Sequence, residues 1–189
     1  RTIGLQFLTG DFTVADQPGN TTMLYPEVTL SKKRMDDVTF TRRGWSLAMA
    51  ARVAREGVLA DTNFGQITAD AKWIRGFGEN SRFIARASAG YTTVGDFDEL
   101  PPELRFFAGG DRSIRGYAYQ SIGPRELFPP ETEPEVIGGE SLLVASAEYE
   151  YYFSAKWGGA VFVDFGDAFT GTEFNMNIGA GLGLRWRSP

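Results

Sequence analysis

The chain has 189 residues with 19 basic and 24 acidic side chains, a net charge of −5 that argues against a nucleic-acid partner. It has no Cys and no His, which removes disulfides, thiolate zinc sites and the commonest general base, so no enzymatic activity and no bound metal or other cofactor is expected. Its 23 Gly and 26 aromatic residues fit an all-β chain with close backbone approaches.

The dominant hydrophobic period along the chain is two. Residues 2–9 alternate Ile3, Leu5 and Phe7 with Gly4 and Gln6. A Gly/Asn-rich stretch at 16–22 is expected to turn, and residues 23–34 to form a second strand that ends in Lys32, Lys33 and Arg34. Those three cations suit a strand end near charged lipid headgroups. Residues 44–56 alternate most cleanly, with Trp45, Leu47, Met49, Ala51 and Val53 on one face. Ile67, Ala69, Ala71 and Trp73 continue that face over 64–75, and Phe83, Ala85, Ala87, Ala89 and Tyr91 over 82–94. Residues 141–153 set Leu143, Ala145, Ala147, Tyr149, Tyr151 and Phe153 against Ser146, Glu148 and Glu150. Residues 157–165 place Asp164 in an apolar strand, and Ile178 to Trp186 oppose Gly179, Gly181, Gly183 and Arg185.

These segments run about 9–13 residues, longer than ordinary globular strands and suited to crossing a bilayer at a tilt. The aromatics Trp45, Trp73, Tyr91, Tyr151, Phe153, Trp157 and Trp186 lie near strand ends, as in an interfacial girdle. Short turns such as 76–81 contrast with long stretches at 10–22, 95–103 and 123–140. The stretch Pro124–Glu140 holds four Pro and five Glu and no Lys, and reads as a solvated acidic loop. The fold expected is all-β, an antiparallel up-and-down meander of about ten strands forming part of a transmembrane β-barrel. A soluble β-barrel binding a small apolar ligand would show the same alternation.

Two segments carry chemistry. RFFAGGDRSIRGY, residues 105–117, places Arg115 on a tip flanked by Gly109, Gly110, Ile114, Gly116 and Tyr117, and FVDFG, residues 162–166, supplies Asp164. A guanidinium on a loop and a carboxylate inside a strand can form a bidentate, charge-assisted pair, which suits a loop folded into a barrel lumen. Glu148, Glu150, Asp164 and Asp167 read as lumen acids paired to Arg rather than as hydrolase carboxylates. The spacing of Asp11, Asp16, Asp96 and Asp98 fits no EF-hand loop. The Gly179, Gly181 and Gly183 ladder precedes no helix, so it reads as a closely approached strand rather than a phosphate loop.

Through LPPELRFFAGGDRSIRGYAYQSIGP (100–124), AEYEYYF (147–153), WGGAVFVDFGDA (157–168) and GAGLGLRWRSP (179–189), the chain resembles the outer-membrane assembly barrels of the bacterial surface antigen family. These are the barrels of BamA and TamA type, and the TamA type is the nearest likeness. The resemblance implies a barrel of about sixteen strands, a 109–124 loop folded into the lumen, and a meeting of Arg115 with Asp164. It implies the outer membrane of a Gram-negative bacterium, and assistance to the insertion or secretion of other outer-membrane proteins, autotransporters included. Implied partners are those clients, the lipid bilayer and an inner-membrane or periplasmic subunit. Against the family pattern, the chain shows no periplasmic repeats and stops at Ser188-Pro189, ahead of a final strand. Residues 1–189 therefore read as a partial C-terminal barrel, expected to close as a smaller barrel or pair with a second copy. A passive outer-membrane pore or adhesin barrel is the alternative function.

Overall fold

Ten strands in chain order make up the computed structural model, which describes residues 1–14, 17–37, 39–57, 60–127 and 133–187. They are β1 (Thr2–Val14), β2 (Gln17–Met35), β3 (Arg43–Ala54), β4 (Phe64–Phe77), β5 (Ser81–Val94), β6 (Arg125–Glu126), β7 (Glu135–Val136), β8 (Ser141–Tyr152), β9 (Trp157–Phe169) and β10 (Asn177–Trp186). Eight of them form one antiparallel sheet in the order β1-β2-β3-β4-β5-β8-β9-β10, while β6 and β7 make a separate small hairpin within the β5–β8 connection. The one helical element described is a 3-10 turn at Pro102–Leu104.

Strand faces follow the period-two reading, because each residue's partner across the ladder has a side chain of the same orientation. Trp45 pairs with Trp73, Met49 with Ala69, and Ala147 with Val163, which joins the outward positions into a band across the sheet. Trp45, Leu47, Met49, Val53, Ile67, Trp73, Val161, Val163, Leu182 and Leu184 all expose their side chains on this outer face, Leu182 to 83%. The inner face carries the buried polar residues Gln66, Ser146, Glu148, Glu150 and Asp164. A soluble sandwich would reverse this arrangement, with its apolar face hidden.

Six of the seven girdle aromatics, all except Tyr91, stand at the end where β2–β3, β4–β5 and β8–β9 connect through short turns. The girdle is thus strongest on one rim, with Trp45 facing Trp73 and Trp157 facing Trp186.

The stretch 16–22 differs from its expected turn. Residues 15 and 16 lie outside the described residues, but from Gln17 onward the stretch is already strand: Thr13 pairs with Pro18, Val14 with Gln17, and β2 runs for 19 residues. Asn20, Thr21, Thr22 and Met23 continue the strand; Thr21 and Met23 are buried, and Met23 bridges to Ala60. The β-branched threonines and the burial of Met23 override the Gly-Asn turn signal. Among the described residues no ladder joins β1 to β10 and the sheet has two free edges, so of the two expected outcomes, closure as a smaller barrel or pairing with a second copy, the first does not occur within this chain. The terminal Ser188-Pro189 lies outside the described residues, as does the centre of the acidic connection, residues 128–132.

Candidate lumen clamp

Two apolar clusters set the long β5–β8 connection on the inner face. The first joins Leu100 and Leu104 to Met23, Tyr25, Ala54, Ala60 and Phe64. The second packs Ala108, Ile114 and Ile122 on Val144 of β8 and Ala168 of β9. Ile114 has no exposed surface, so the residue beside Arg115 is an anchor in the wall rather than a solvated tip. Backbone bonds between Ala108 and Ile122, and between Phe106 and Gly139, close the base of the loop.

The loop can fold this tightly because Gly109, Gly110 and Gly116 take φ values of 98°, 95° and 92°, a region that residues with a Cβ rarely enter. Gly110 N–H donates to the Tyr117 carbonyl at 3.1 Å and closes the turn. Beneath the tip lies the glycine ladder of β10. A Cβ at Gly179 would collide with the Arg115 carbonyl, and one at Gly181 would strike the Phe162 ring. These two glycines lower the wall where the loop lands. Tyr117 is half-exposed, and its hydroxyl lies 3.5 Å from the Ile178 carbonyl.

Arg115 donates to Asp164 through Nε (2.7 Å), Nη2 (2.8 Å) and its own backbone N–H (3.0 Å). Its Nη1 donates to Glu148 at 2.5 Å, and the guanidinium lies 3.5 Å from the centre of the Phe162 ring. The donors and one face of the group are thus engaged, in a geometry that suits a planar fork. Hydrogen bonds donated to Asp164, reinforced by those to Glu148, raise the Arg115 pKa above its ordinary range, so the side chain is charged at any physiological pH.

Strand register extends the network. Glu148 is shared with Arg185 of β10, which also reaches Glu150 at 3.1 Å. Glu150 accepts from Arg82 of β5 at 2.6 Å, the residue directly across the ladder. Arg82 and Arg187 then sandwich Phe40 of the β2–β3 turn, at 4.2 and 4.4 Å from its ring centre. A line of alternating charge thus runs from the loop tip to the short-turn rim, with Glu148 and Glu150 each between two guanidiniums. Asp167 departs from the Arg-paired reading: it accepts from the Asn175 N–H at 2.7 Å and lies 3.4 Å from the Asn177 amide. Its place near the β9–β10 connection puts it beyond the reach of the lumen arginines.

Arg105 was not legible as a site residue, because no acid is paired to it. It is buried, and its guanidinium donates to the carbonyls of Leu100 (2.6 Å), Phe97 (3.0 Å), Asp98 (3.2 Å) and Ile137 (3.1 Å). Burial lowers its pKa. It knits the 95–104 stretch to the far side of the connection. A second inner network, Glu27–Arg52–Gln66, ends on the Leu104 carbonyl and fixes the 3-10 turn to β4. Between the tip and the β4–β5 wall a cavity of about 650 Å³ remains, lined by Asp70, Ser88, Arg112 and Tyr119 among others. Among the described residues the side-chain hydrogen bonds of the tip to the wall all go to β8–β10, and Arg86 of β5 approaches the clamped Asp164 at 4.0 Å.

The Omp85 superfamily domain matches residues 8–189. The outer membrane protein assembly factor BamA of Nitratidesulfovibrio vulgaris (strain Hildenborough) is 37% identical over 98 residues, which is 48% of this chain and 12% of that protein. A crystal structure of BamA from Haemophilus ducreyi lacking POTRA domains 1–3 shares the fold, with a TM-score of 0.78 and 20% identity over 92% of this chain and 38% of the other.

Proposed function

This chain belongs to the Omp85 superfamily, and we propose that it is the barrel portion of a non-enzymatic factor that helps insert or secrete other outer-membrane proteins. The superfamily places it in the outer membrane of a Gram-negative bacterium. The clients, the partner subunit and the TamA-type character belong to this proposal, as does the assignment of residues 1–189 to one part of a larger barrel.

The observation that carries the reading is the Arg115 clamp. A passive pore needs no charged loop pinned to its wall by three donors on one aspartate and a fourth on a glutamate. An assembly factor must change shape around a client, and a loop clamped on one side beside open space is a two-position element. Arg115 and Asp164 hold the clamp, Glu148 and Glu150 extend it toward the rim, Gly109, Gly110 and Gly116 permit the turn, and Ile114 and Tyr117 seat it.

The test is Arg115→Ala in the full-length protein, with client assembly and barrel abundance measured together. Client assembly is expected to fall several-fold further than abundance. Equal loss of both would assign the pair to folding alone, and a steady open conductance without any effect on clients would favour the pore.

A further inference from the structure

Among the described residues, four cations on the outer face make no ion pair with a carboxylate. Lys32 and Arg34 of β2, Arg43 of β3 and Arg75 of β4 share the outward orientation of Leu47, Trp45 and Trp73, their ladder partners or same-face neighbours. None of the four joins an ion pair among the described residues, whereas the arginines of the inner face do. All lie at the short-turn rim, around the Trp45–Trp73 pair, and the Lys32 ammonium stands 5.8 Å from the Trp45 ring centre.

Arg43 and Arg75 are directly opposite each other across the β3–β4 ladder. Like charges in that position repel, and a sheet gains nothing from them unless an anion lies between. The nearby Asp36 does not fill this role: its carboxylate caps the Arg42 N–H at 3.0 Å. Beside these residues a groove of about 580 Å³ is lined by Arg34, Asp36, Arg43, Gly44, Trp45 and Trp73, with Arg75 and Lys32 outside its lining. A Cβ at Gly44 would meet the Arg34 carbonyl, so the glycine permits the close approach of β2 and β3 there.

We propose that this rim patch is a binding site for the headgroup of an anionic phospholipid. The phosphate accepts from Arg43 and Arg75 in the planar geometry that a guanidinium favours. Lys32 and Arg34 hold the remaining negative charge, and the tryptophans lie against the glycerol and upper acyl region, where indoles concentrate. The site lies on β2–β4, across the sheet from the Arg115 clamp. It orients the sheet against the leaflet that borders the short turns. It requires only that the chain sit in a membrane, so it stands or falls independently of the assembly role.

The experiment compares the full-length protein with its Arg43→Gln/Arg75→Gln form in vesicles of phosphatidylcholine, with and without phosphatidylglycerol. The reading is the folded-to-unfolded ratio in urea. In phosphatidylcholine alone the double variant should be the more stable, because repulsion is relieved. With phosphatidylglycerol the order should reverse, the natural protein gaining roughly threefold to tenfold over the variant. Lys32→Gln/Arg34→Gln, which leaves the Arg43–Arg75 pair in place, should reduce that gain without the stabilisation in phosphatidylcholine. The same order of stabilities in both lipids would overturn the proposal. So would inorganic phosphate in phosphatidylcholine vesicles reproducing the full gain, which would make the patch a free-anion site.

Discussion

β1–β2 and β8–β10 share one alternation and one sheet, yet they differ in what their inner faces hold. β8, β9 and β10 carry Ser146, Glu148, Glu150, Asp164 and Arg185, all tied to one another or to Arg115 and Arg82. Over its first ten residues β1 offers the inner side only small or uncharged groups, and its acid, Asp11, is exposed and unpaired among the described residues. One half of the sheet is a wall built to receive a loop. The other is a long hairpin held by its ladder to β3 and, through Met23 and Tyr25, by the cluster under Leu100 and Leu104. The hairpin's one inner ion pair among the described residues is Glu27–Arg52, made with β3, whereas β8–β10 carry a chain of shared acids and arginines, so the same period-two pattern describes two regions that differ in the extent of their charge network.

The largest break in that comparison should come from Asp164→Asn set beside Asp11→Asn. Asp164 has no exposed surface and bonds three donors of Arg115, so losing its charge should cost about 3–5 kcal/mol. Asp11→Asn should stay within about 0.5 kcal/mol. Urea unfolding in lipid vesicles reads both. Similar costs would mean that the wall is no more specialised than the hairpin.

Next in size is Val163→Arg. Val163 faces outward between Ala147 and Ala180, in the middle of β9, and a guanidinium there should cost about 2–4 kcal/mol in the bilayer. The same unfolding assay measures it. A negligible cost would place this face in water and revive the soluble barrel.

The smallest pair sharpens the comparison through glycine. Gly179→Ala should cost about 1–3 kcal/mol, because its Cβ has no room beneath the Arg115 carbonyl. Gly4→Ala in β1 meets only the Gln6 amide at 3.8 Å and should be neutral or slightly stabilising. If both are neutral, the loop does not press on β10.

The faces of β3–β5 and β8–β10 were legible because side-chain alternation survives whatever the neighbours are. From the residues alone Arg115 reads as readily as a solvated loop charge; its meeting with Asp164 was expected from the family resemblance together with a carboxylate set in an apolar strand. Which acids share which arginines was not, since that depends on register: Arg82 lies opposite Glu150, and Glu148 opposite Phe162. The carbonyl cage around Arg105 left no charge pattern to read, and neither did Phe40, stacked between Arg82 and Arg187 from a turn far away in sequence. The 16–22 stretch misled because a local Gly-Asn signal says nothing of Met23 being buried beneath a distant loop.

The central claim is that Arg115 holds the loop tip on the wall and that its release matters to clients. The chain has no Cys, so Ile114→Cys introduces one thiol at a fully buried position beside the clamp. Maleimide labelling in membranes, alone and combined with Arg115→Ala, reads the tip directly. Slow labelling of the single variant is expected, and fast labelling once Arg115 is removed, with client assembly falling in step. Equal labelling rates with and without Arg115 would contradict the account.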